Sequence, residues 1–243
     1  MTKISRWIKN ELWVGYTIFE KIFLISMLAL QIIVFILSPD TVIGIISGIS
    51  GVISVVLCAK GKISFYYIGF VQTISYLYLA WTNKLYGEVI ENIFYLVTMI
   101  WGIFLWKKNM QKNEDGTSDV KAKKFTPLHW TISIIFTIFF TFLVGLWLES
   151  IGSNEAYLDA ATNVMSIFAQ LLMIWRFREQ WIWWIVIDII CVVMWARIGN
   201  WSMVAMYISW IINAAYGWYN WSKLNKKQNT DSKIVVICVL CNV

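Results

Sequence analysis

Long apolar runs follow one another along most of this chain, and they constrain its fold more than any other feature. Each run has about 18 or more mostly apolar residues, enough for a helix to cross a hydrocarbon core about 30 Å thick. Charged residues make up 14% of the chain, against about 25% in a soluble domain. The runs also lack the alternating pattern of barrel strands. The sequence therefore predicts an all-α polytopic membrane protein.

Turns and polar stretches between the runs predict eight transmembrane helices. The predicted spans are 18–38, 41–58, 63–82, 88–106, 129–149, 157–175, 181–197 and 201–221. Residues 1–40 combine a polar-aromatic lead with an extra helix, a lysine-rich loop fills 107–128, and 222–243 form a tail. The most aromatic stretch, 181–221, holds eight of the 16 tryptophans together with an acid, Asp188, in an apolar segment.

The distribution of basic residues predicts the orientation. With the N-terminus inside, cytoplasmic segments carry 18 of the 20 lysines and arginines, and only Lys84 and Arg197 lie outside. Because basic loops remain on the cytoplasmic side, we expect both termini to be cytoplasmic. The same bias assigns the net charge of +6 to the membrane topology, and we expect no nucleic-acid partner.

An internal repeat relates the two halves of the chain. A shift of 115 residues places Trp101-Gly102-x3-Trp106 on Tyr216-Gly217-x3-Trp221 without a gap. It also superposes the basic turns 60–62 and 175–178, so that 41–106 and 157–221 form two three-helix repeats. The intervening helix, 129–149, makes the repeats parallel, as in the small sugar carriers called SWEETs. We expect a 3+1+3 core with the first span outside it.

Short polar and aromatic motifs at the repeat ends resemble those of a known family. Gly87-Glu88, Asn92 and Tyr95 lead to Gly102-x3-Trp106, and Trp210-x2-Asn213-x2-Tyr216 leads to Gly217-x3-Trp221. With Ser47-Gly48 and 59–62, this pattern resembles the PnuC family of bacterial vitamin transporters over about 41–221. The resemblance implies uptake of nicotinamide riboside by facilitated diffusion, a homotrimer and a place in the bacterial inner membrane. The extra first span departs from the minimal core of that family.

Polar residues inside membrane helices mark a pathway or a partner, and here they recur at helical spacing. Asn163, Ser166 and Gln170 share one face of the sixth helix, as Trp184 and Asp188 do on the seventh and Trp210 and Asn213 on the eighth. The predicted substrate-binding residues are Gln72, Asn92, Tyr95, Asn163, Ser166, Gln170, Trp184, Asp188, Trp210, Asn213 and Tyr216.

Indoles and amides suit a flat aromatic cation that carries a sugar. Indole faces attract cations, by about 2 kcal/mol when water is excluded, and amides can pair with a carboxamide and with ribose hydroxyls. A phosphate would call for arginine or lysine at membrane depth, and none of the eight predicted spans offers one there. The predicted site should therefore accept the riboside and reject the mononucleotide.

Each of these features has a plainer structural interpretation. Tryptophans at helix ends are typical interface anchors, which is the interpretation that we favour for Trp106, Trp195, Trp201 and Trp221. The amides can instead hold helices together. Asp188 can pair with a substrate cation or accept a structural hydrogen bond, and it has no second acid or histidine in the membrane with which to relay protons.

Three classes of function compete. The first is a carrier of nicotinamide riboside, or of a related vitamin such as thiamin or riboflavin. The second is a membrane-embedded enzyme, which would need a nucleophile, paired acids or metal ligands. The third is a sensor or assembly subunit without a transported ligand. The single histidine and four scattered cysteines suggest no metal, and no cofactor is expected. The sequence favours the carrier.

Overall fold

The computed structural model describes residues 9–37, 41–84, 86–112, 118–152, 155–199 and 201–241. Eight helices of at least 18 residues occur in these ranges. They are α1 (Ile18–Leu37), α2 (Val42–Ala59), α3 (Ser64–Thr82), α4 (Tyr86–Lys107), α5 (Pro127–Ser150), α6 (Ala156–Ile174), α7 (Gln180–Ile198) and α8 (Trp201–Cys241). A short hairpin, β1 (Met110–Lys112) with β2 (Ser118–Val120), lies in the loop after α4.

The predicted class, a helical membrane protein, is confirmed. In the described ranges, six helices are long and apolar enough to cross a membrane, namely α1, α2, α4, α5, α6 and α7. Helices α3 and α8 carry more polar groups, so their crossings remain predictions. Helix α8 does not end at residue 221 as predicted. It continues to Cys241 over 41 residues, a length of about 60 Å at 1.5 Å per residue.

The chain folds as two compact units, Met1–Val120 and Lys121–Val243. In the first unit the lead before α1 is tied to the turn after α2. The Lys60 ammonium forms an ion pair with Glu20 at 3.0 Å, donates to the Gly15 carbonyl, and lies 4.8 Å from the Tyr16 ring centroid. Burial and the Glu20 charge raise the pKa of Tyr16 well above its usual range. These contacts hold the extra first helix to the C-terminal end of α2.

In the second unit, α5 begins with a capping box. The Thr126 hydroxyl accepts from the His129 backbone N–H, and the His129 ring accepts from the Thr126 backbone N–H at 3.1 Å. The next residue, Pro127, takes the first helical position, where its missing N–H costs nothing. The lone histidine of the chain thus serves to begin a helix.

The turns after α2 and after α6, which the basic residues predict to be cytoplasmic and which are here called the inner turns, are built in the same way at positions 115 residues apart. After α2, the N–H of Gly61 donates to the Cys58 carbonyl and that of Lys62 to the Leu57 carbonyl. After α6, Arg176 donates to Met173 and Phe177 to Leu172 in the same pattern. This is a Schellman motif, which needs a left-handed residue after the helix. Gly61 and Arg176 fill that place with φ values of 73° and 68°.

The turns after α3 and after α7, which the basic residues predict to lie outside and which are here called the outer turns, match as well. Lys84 after α3 and Gly199 after α7 have φ values of 58° and 79°, and each donates its N–H to the carbonyl three residues before it. They too lie 115 residues apart. The 115-residue repeat of the sequence therefore also appears in the backbone conformation of the two units, at both of these turns.

In each unit, an aromatic ring of one helix packs on a glycine of the next helix. In the first unit, Tyr66 of α3 lies against Gly102 of α4 so closely that a Cβ there would overlap the tyrosine hydroxyl. In the second, Trp181 of α7 lies against Gly217 of α8, where a Cβ would be 2.5 Å from the indole. The aromatic-Gly-x3-Trp motif therefore records a helix contact.

The final tryptophan of each motif packs edge-on to the same ring. The Tyr66 and Trp106 centroids lie 5.3 Å apart at 83°, and those of Trp181 and Trp221 lie 6.0 Å apart at 80°. Both Trp106 and Trp221 are fully buried in their units, at 0% exposure. The interpretation of these two residues as interface anchors was therefore wrong. Trp201, at 69% exposure, remains open to lipid.

We expect Gly217→Ala to destabilise the protein, because the new methyl group has no space beside the Trp181 indole. Overpacking of this kind costs about 1–3 kcal/mol of unfolding free energy. Denaturant unfolding in detergent micelles, followed by tryptophan fluorescence, measures the change.

Gly87→Ala is the matched control, because a Cβ on Gly87 would meet nothing within 4 Å and alanine favours a helix by about 1 kcal/mol. Its stability should be unchanged or higher. Adding Trp181→Phe to Gly217→Ala should recover part of the loss, since the smaller ring frees space. Equal stability of the two glycine variants would contradict the close contact.

Candidate substrate-binding site

The first unit carries a polar cluster on α3 and α4, in which Gln72 of α3 also lies beside Gly51 of α2. Asn92 is buried at 4% exposure, and its Nδ2 donates to the Glu88 carbonyl one turn earlier at 2.8 Å. Gln72 is half-buried, and its Oε1 accepts from the Thr73 hydroxyl at 3.1 Å. The three predicted residues Gln72, Asn92 and Tyr95 thus lie in one helix pair, where amide groups remain at membrane depth.

Acidic groups join this cluster through tyrosines. The Tyr95 hydroxyl donates to Glu91 Oε1 at 2.5 Å, and Tyr76 of α3 interacts with the Glu88 carboxylate. Both carboxylates lie in the first two turns of α4, at the end of the helix that the basic residues predict to be outside. Because a tyrosine hydroxyl interacts with each one, these two carboxyl groups are held in place within the unit.

The second unit carries a corresponding cluster between α7 and α8. Asp188 is buried at 4% exposure, and it influences Cys191 on its own helix and Tyr207 on α8 electrostatically. The Tyr207 hydroxyl interacts with the Cys191 thiol and with the Trp195 indole. The acid is therefore enclosed within the second unit, near Cys191 and Tyr207.

Aromatic rings continue this cluster along α8. The rings of Tyr207 and Trp210 lie 5.2 Å apart at 74°, an edge-to-face arrangement. One turn further on, Asn213 is buried at 4% exposure and Tyr216 is half-buried. The spacing 210, 213 and 217 that the sequence suggested is a helix face with a buried amide next to aromatic rings.

Two other groups of predicted residues are placed differently. Trp184 is half-buried against a core of Phe125, Met165, Leu172 and their neighbours, so part of its ring stabilises the unit. On α6, Ser166 and Gln170 are buried, at 8% and 6% exposure, while Asn163 is exposed and donates to the Asp159 carbonyl at 2.8 Å. This face of α6 is therefore polar from Asn163 to Gln170, but only Ser166 and Gln170 are enclosed within the unit.

Sequence reasoning missed four polar residues of these clusters. They are Thr73, Thr98, Cys191 and Tyr207. The repeat itself could have found three of them, Thr73, Thr98 and Tyr207. Thr73 is 115 residues before Asp188, Thr98 before Asn213, and Asn92 before Tyr207, and the threonines, Asp188 and Asn213 are all buried. A polar side chain is thus kept at equivalent depths in both units, although its chemical type differs.

The chain is similar to proteins of known type. A family model described as "Nicotinamide mononucleotide transporter" matches residues 41–223. A nicotinamide riboside transporter PnuC of Haemophilus influenzae is 38% identical over 230 residues, covering 94% of this chain and 100% of that protein. The PnuC of Neisseria mucosa is 37% identical and covers 92% and 88%, and that of Escherichia coli is 25% identical over 66% and 76%.

The fold agrees with these relatives. A crystal structure of the vitamin B3 transporter PnuC superposes with a TM-score of 0.78 at 36% identity, and it covers 91% of this chain and 98% of that one. The family resemblance seen in the short motifs is therefore confirmed over the whole fold. The chain belongs to the nicotinamide mononucleotide transporter family, and it is similar in sequence and structure to transporters of the PnuC type.

Proposed function

We propose that this protein carries nicotinamide riboside across the membrane by facilitated diffusion, with both termini in the cytoplasm of a bacterial inner membrane. Family membership and the relatives named for this vitamin support the proposal. The observation that carries it is the pair of buried polar and aromatic clusters, one on α3 and α4 and one on α7 and α8. A protein that only assembles in the membrane would have little use for a buried acid in the second unit and for buried amides in both units.

The substrate is proposed to be the riboside rather than the mononucleotide of the family's printed description. The pyridinium ring of the riboside is a cation, which suits indole and tyrosine faces and the carboxylates of Asp188, Glu88 and Glu91. A phosphate would instead meet those acids at membrane depth without arginine or lysine. The charge of the clusters thus selects for the uncharged sugar end and against the phosphorylated one.

We propose that the two repeats, 41–106 and 157–221, move as rigid bodies and that α5 links them in a 3+1+3 core. The matched turns and the ring-on-glycine contacts support rigid repeats, since each closes its three helices at the same points. The predicted set Gln72, Asn92, Tyr95, Asn163, Ser166, Gln170, Trp184, Asp188, Trp210, Asn213 and Tyr216 is proposed to bind the substrate, with Tyr207 added. The homotrimer implied by the family resemblance belongs to this proposal too.

Transport should be visible as counterflow in proteoliposomes. Vesicles preloaded with unlabelled nicotinamide riboside should accumulate the labelled compound without a proton or sodium gradient, because a passive carrier exchanges one substrate molecule for another. Nicotinamide mononucleotide inside the vesicles should not drive this exchange. Exchange with thiamin but not with the riboside would leave the fold intact and overturn the substrate assignment.

Asn213→Ala and Trp184→Ala should each weaken nicotinamide riboside binding about tenfold, the effect of losing one buried hydrogen bond or one cation–ring contact. Isothermal titration calorimetry in detergent measures the affinity. Asn109→Ala and Trp147→Ala are matched controls, because the Asn109 side chain, just after α4, donates to the Leu105 carbonyl and Trp147 is 61% exposed. Unchanged affinity in both site variants would reject this part of the site.

Asp188→Asn should lower the affinity for the cationic riboside by about tenfold or more, because an amide of the same shape cannot take up the negative charge with which a carboxyl group can pair with the pyridinium. An uncharged reduced analogue of the riboside should lose much less, and that difference separates charge pairing from a purely structural role. If Asp188→Asn changes the affinity for the riboside and for the uncharged analogue by the same factor, then Asp188 does not contact the pyridinium.

A further inference from the structure

A basic strip lies beside the inner turn of the second unit, outside the polar clusters. The backbone of Lys123 pairs with that turn on both sides: its N–H donates to the Arg176 carbonyl at 2.7 Å, and its carbonyl accepts from the Arg178 N–H at 3.0 Å. The Arg176 guanidinium in turn donates to the Lys121 carbonyl at 3.4 Å. Lysines and arginines from two distant segments are thus held side by side.

No carboxylate among the described residues pairs with the lysines of this strip, although its Arg178 pairs with Glu179 at 3.1 Å. Within the described residues, Lys121, Lys123 and Lys124 form no ion pair, and all three are exposed. The inner turn of the first unit differs, because Lys60 pairs with Glu20 at 3.0 Å and Lys62 pairs with Asp119 at 3.3 Å. Burial and the neighbouring Arg176 charge hold the pKa of Lys123 below its usual range, so an anion placed there would relieve a repulsion.

The strip lies where three membrane helices begin or end. Helix α5 begins at Pro127, α6 ends at Ile174 and α7 begins at Gln180. Aromatic rings next to Lys123 form what is here called the aromatic shelf: Phe125 stacks on His129 at 5.4 Å, and the Lys123 ammonium lies 5.3 Å from the Phe177 ring centroid. Charge above an aromatic shelf at a helix end is the arrangement of a membrane–water interface.

An exposed apolar stripe runs from this shelf along α5. Its members recur at spacings of three and four, so that they share one face of the helix. They are Leu128, Ile132, Ile135, Phe139, Phe142 and Leu146, each at least 44% exposed. A molecule that contacts both the lysines and this stripe must carry an anionic head and a long apolar tail.

We propose that an anionic phospholipid binds in this position, with its phosphate at Lys123 and its acyl chain along the exposed face of α5. The phosphate of a diacyl lipid such as phosphatidylglycerol matches the basic strip in charge and the helix ends in depth. A soluble phosphate would match the lysines but not the stripe. This inference concerns a lipid site and does not depend on the identity of the transported substrate.

Native mass spectrometry of the full-length protein in detergent, titrated with phosphatidylglycerol or phosphatidylcholine, tests the proposal. Phosphatidylglycerol should bind more tightly, and Lys123→Glu should weaken its binding about tenfold or more, since a cation near the phosphate becomes an anion. Lys123→Gln should show an intermediate loss. Lys108→Glu is the control, because Lys108 is an exposed lysine after α4, and its affinity should change less than twofold.

The acyl contact has its own test. Ile132→Ser should lower the affinity for phosphatidylglycerol several-fold, whereas Ile90→Ser, at a 70% exposed position on α4, should not. Equal binding of the two lipids, or equal effects of Lys123→Glu and Lys108→Glu, would overturn the proposal. Release of bound phosphatidylglycerol by millimolar inorganic phosphate would also overturn it, by showing a site for free phosphate. Thermal unfolding of each variant confirms that it is folded.

Discussion

The contact of an aromatic ring with a bare helix backbone underlies the architecture of both units. A glycine at residue 102 or 217 lets a whole ring enter the space that any side chain would fill. In lipid, where apolar helices gain little from the hydrophobic effect, such close packing is a main source of helix association. Together with the Schellman turns, the contact fixes where the third helix of each repeat meets the second. The positions of the polar clusters follow from that alignment.

The clusters show how polar groups are kept at membrane depth. Asn92 satisfies its amide by bonding to a carbonyl of its own helix, and Tyr95 bonds to Glu91. Such local partners lower the cost of burial. We propose that these local bonds can be exchanged for bonds to a substrate. A carrier needs this balance, because a substrate that is bound too tightly would not be released.

Much of the fold follows from hydropathy and turn signals. The predicted helix ends lie within about two residues of the observed ones for seven helices, because a membrane span must begin and end where polar residues do. The predicted eighth helix ends too early, because the polar residues after Trp221 do not end the helix. They only mark where it leaves the apolar region. The hairpin at 110–120 was also missed, because its short strands are set by Asp119 pairing with Lys62 and by Val120 bonding to Gly61.

The candidate site was harder to predict, for a different reason. Periodicity places Asn213 and Trp210 on a face, but it cannot say whether a tryptophan is a lipid anchor or a buried ring. Trp106 and Trp221 were misassigned for that reason. The repeat was the more informative signal. Aligned residue by residue, it points to Thr73, Thr98 and Tyr207, which no single helix pattern singles out.

The left-handed turn positions say something about how the two halves have diverged. At the inner turn the first half has glycine and the second has Arg176, while at the outer turn the first has Lys84 and the second has glycine. A left-handed conformation costs a residue with a side chain about 1–2 kcal/mol, so each half has accepted that cost once, at opposite ends. What the halves share is therefore a backbone path rather than a set of side chains. The two halves keep that path although the side chains that line it differ.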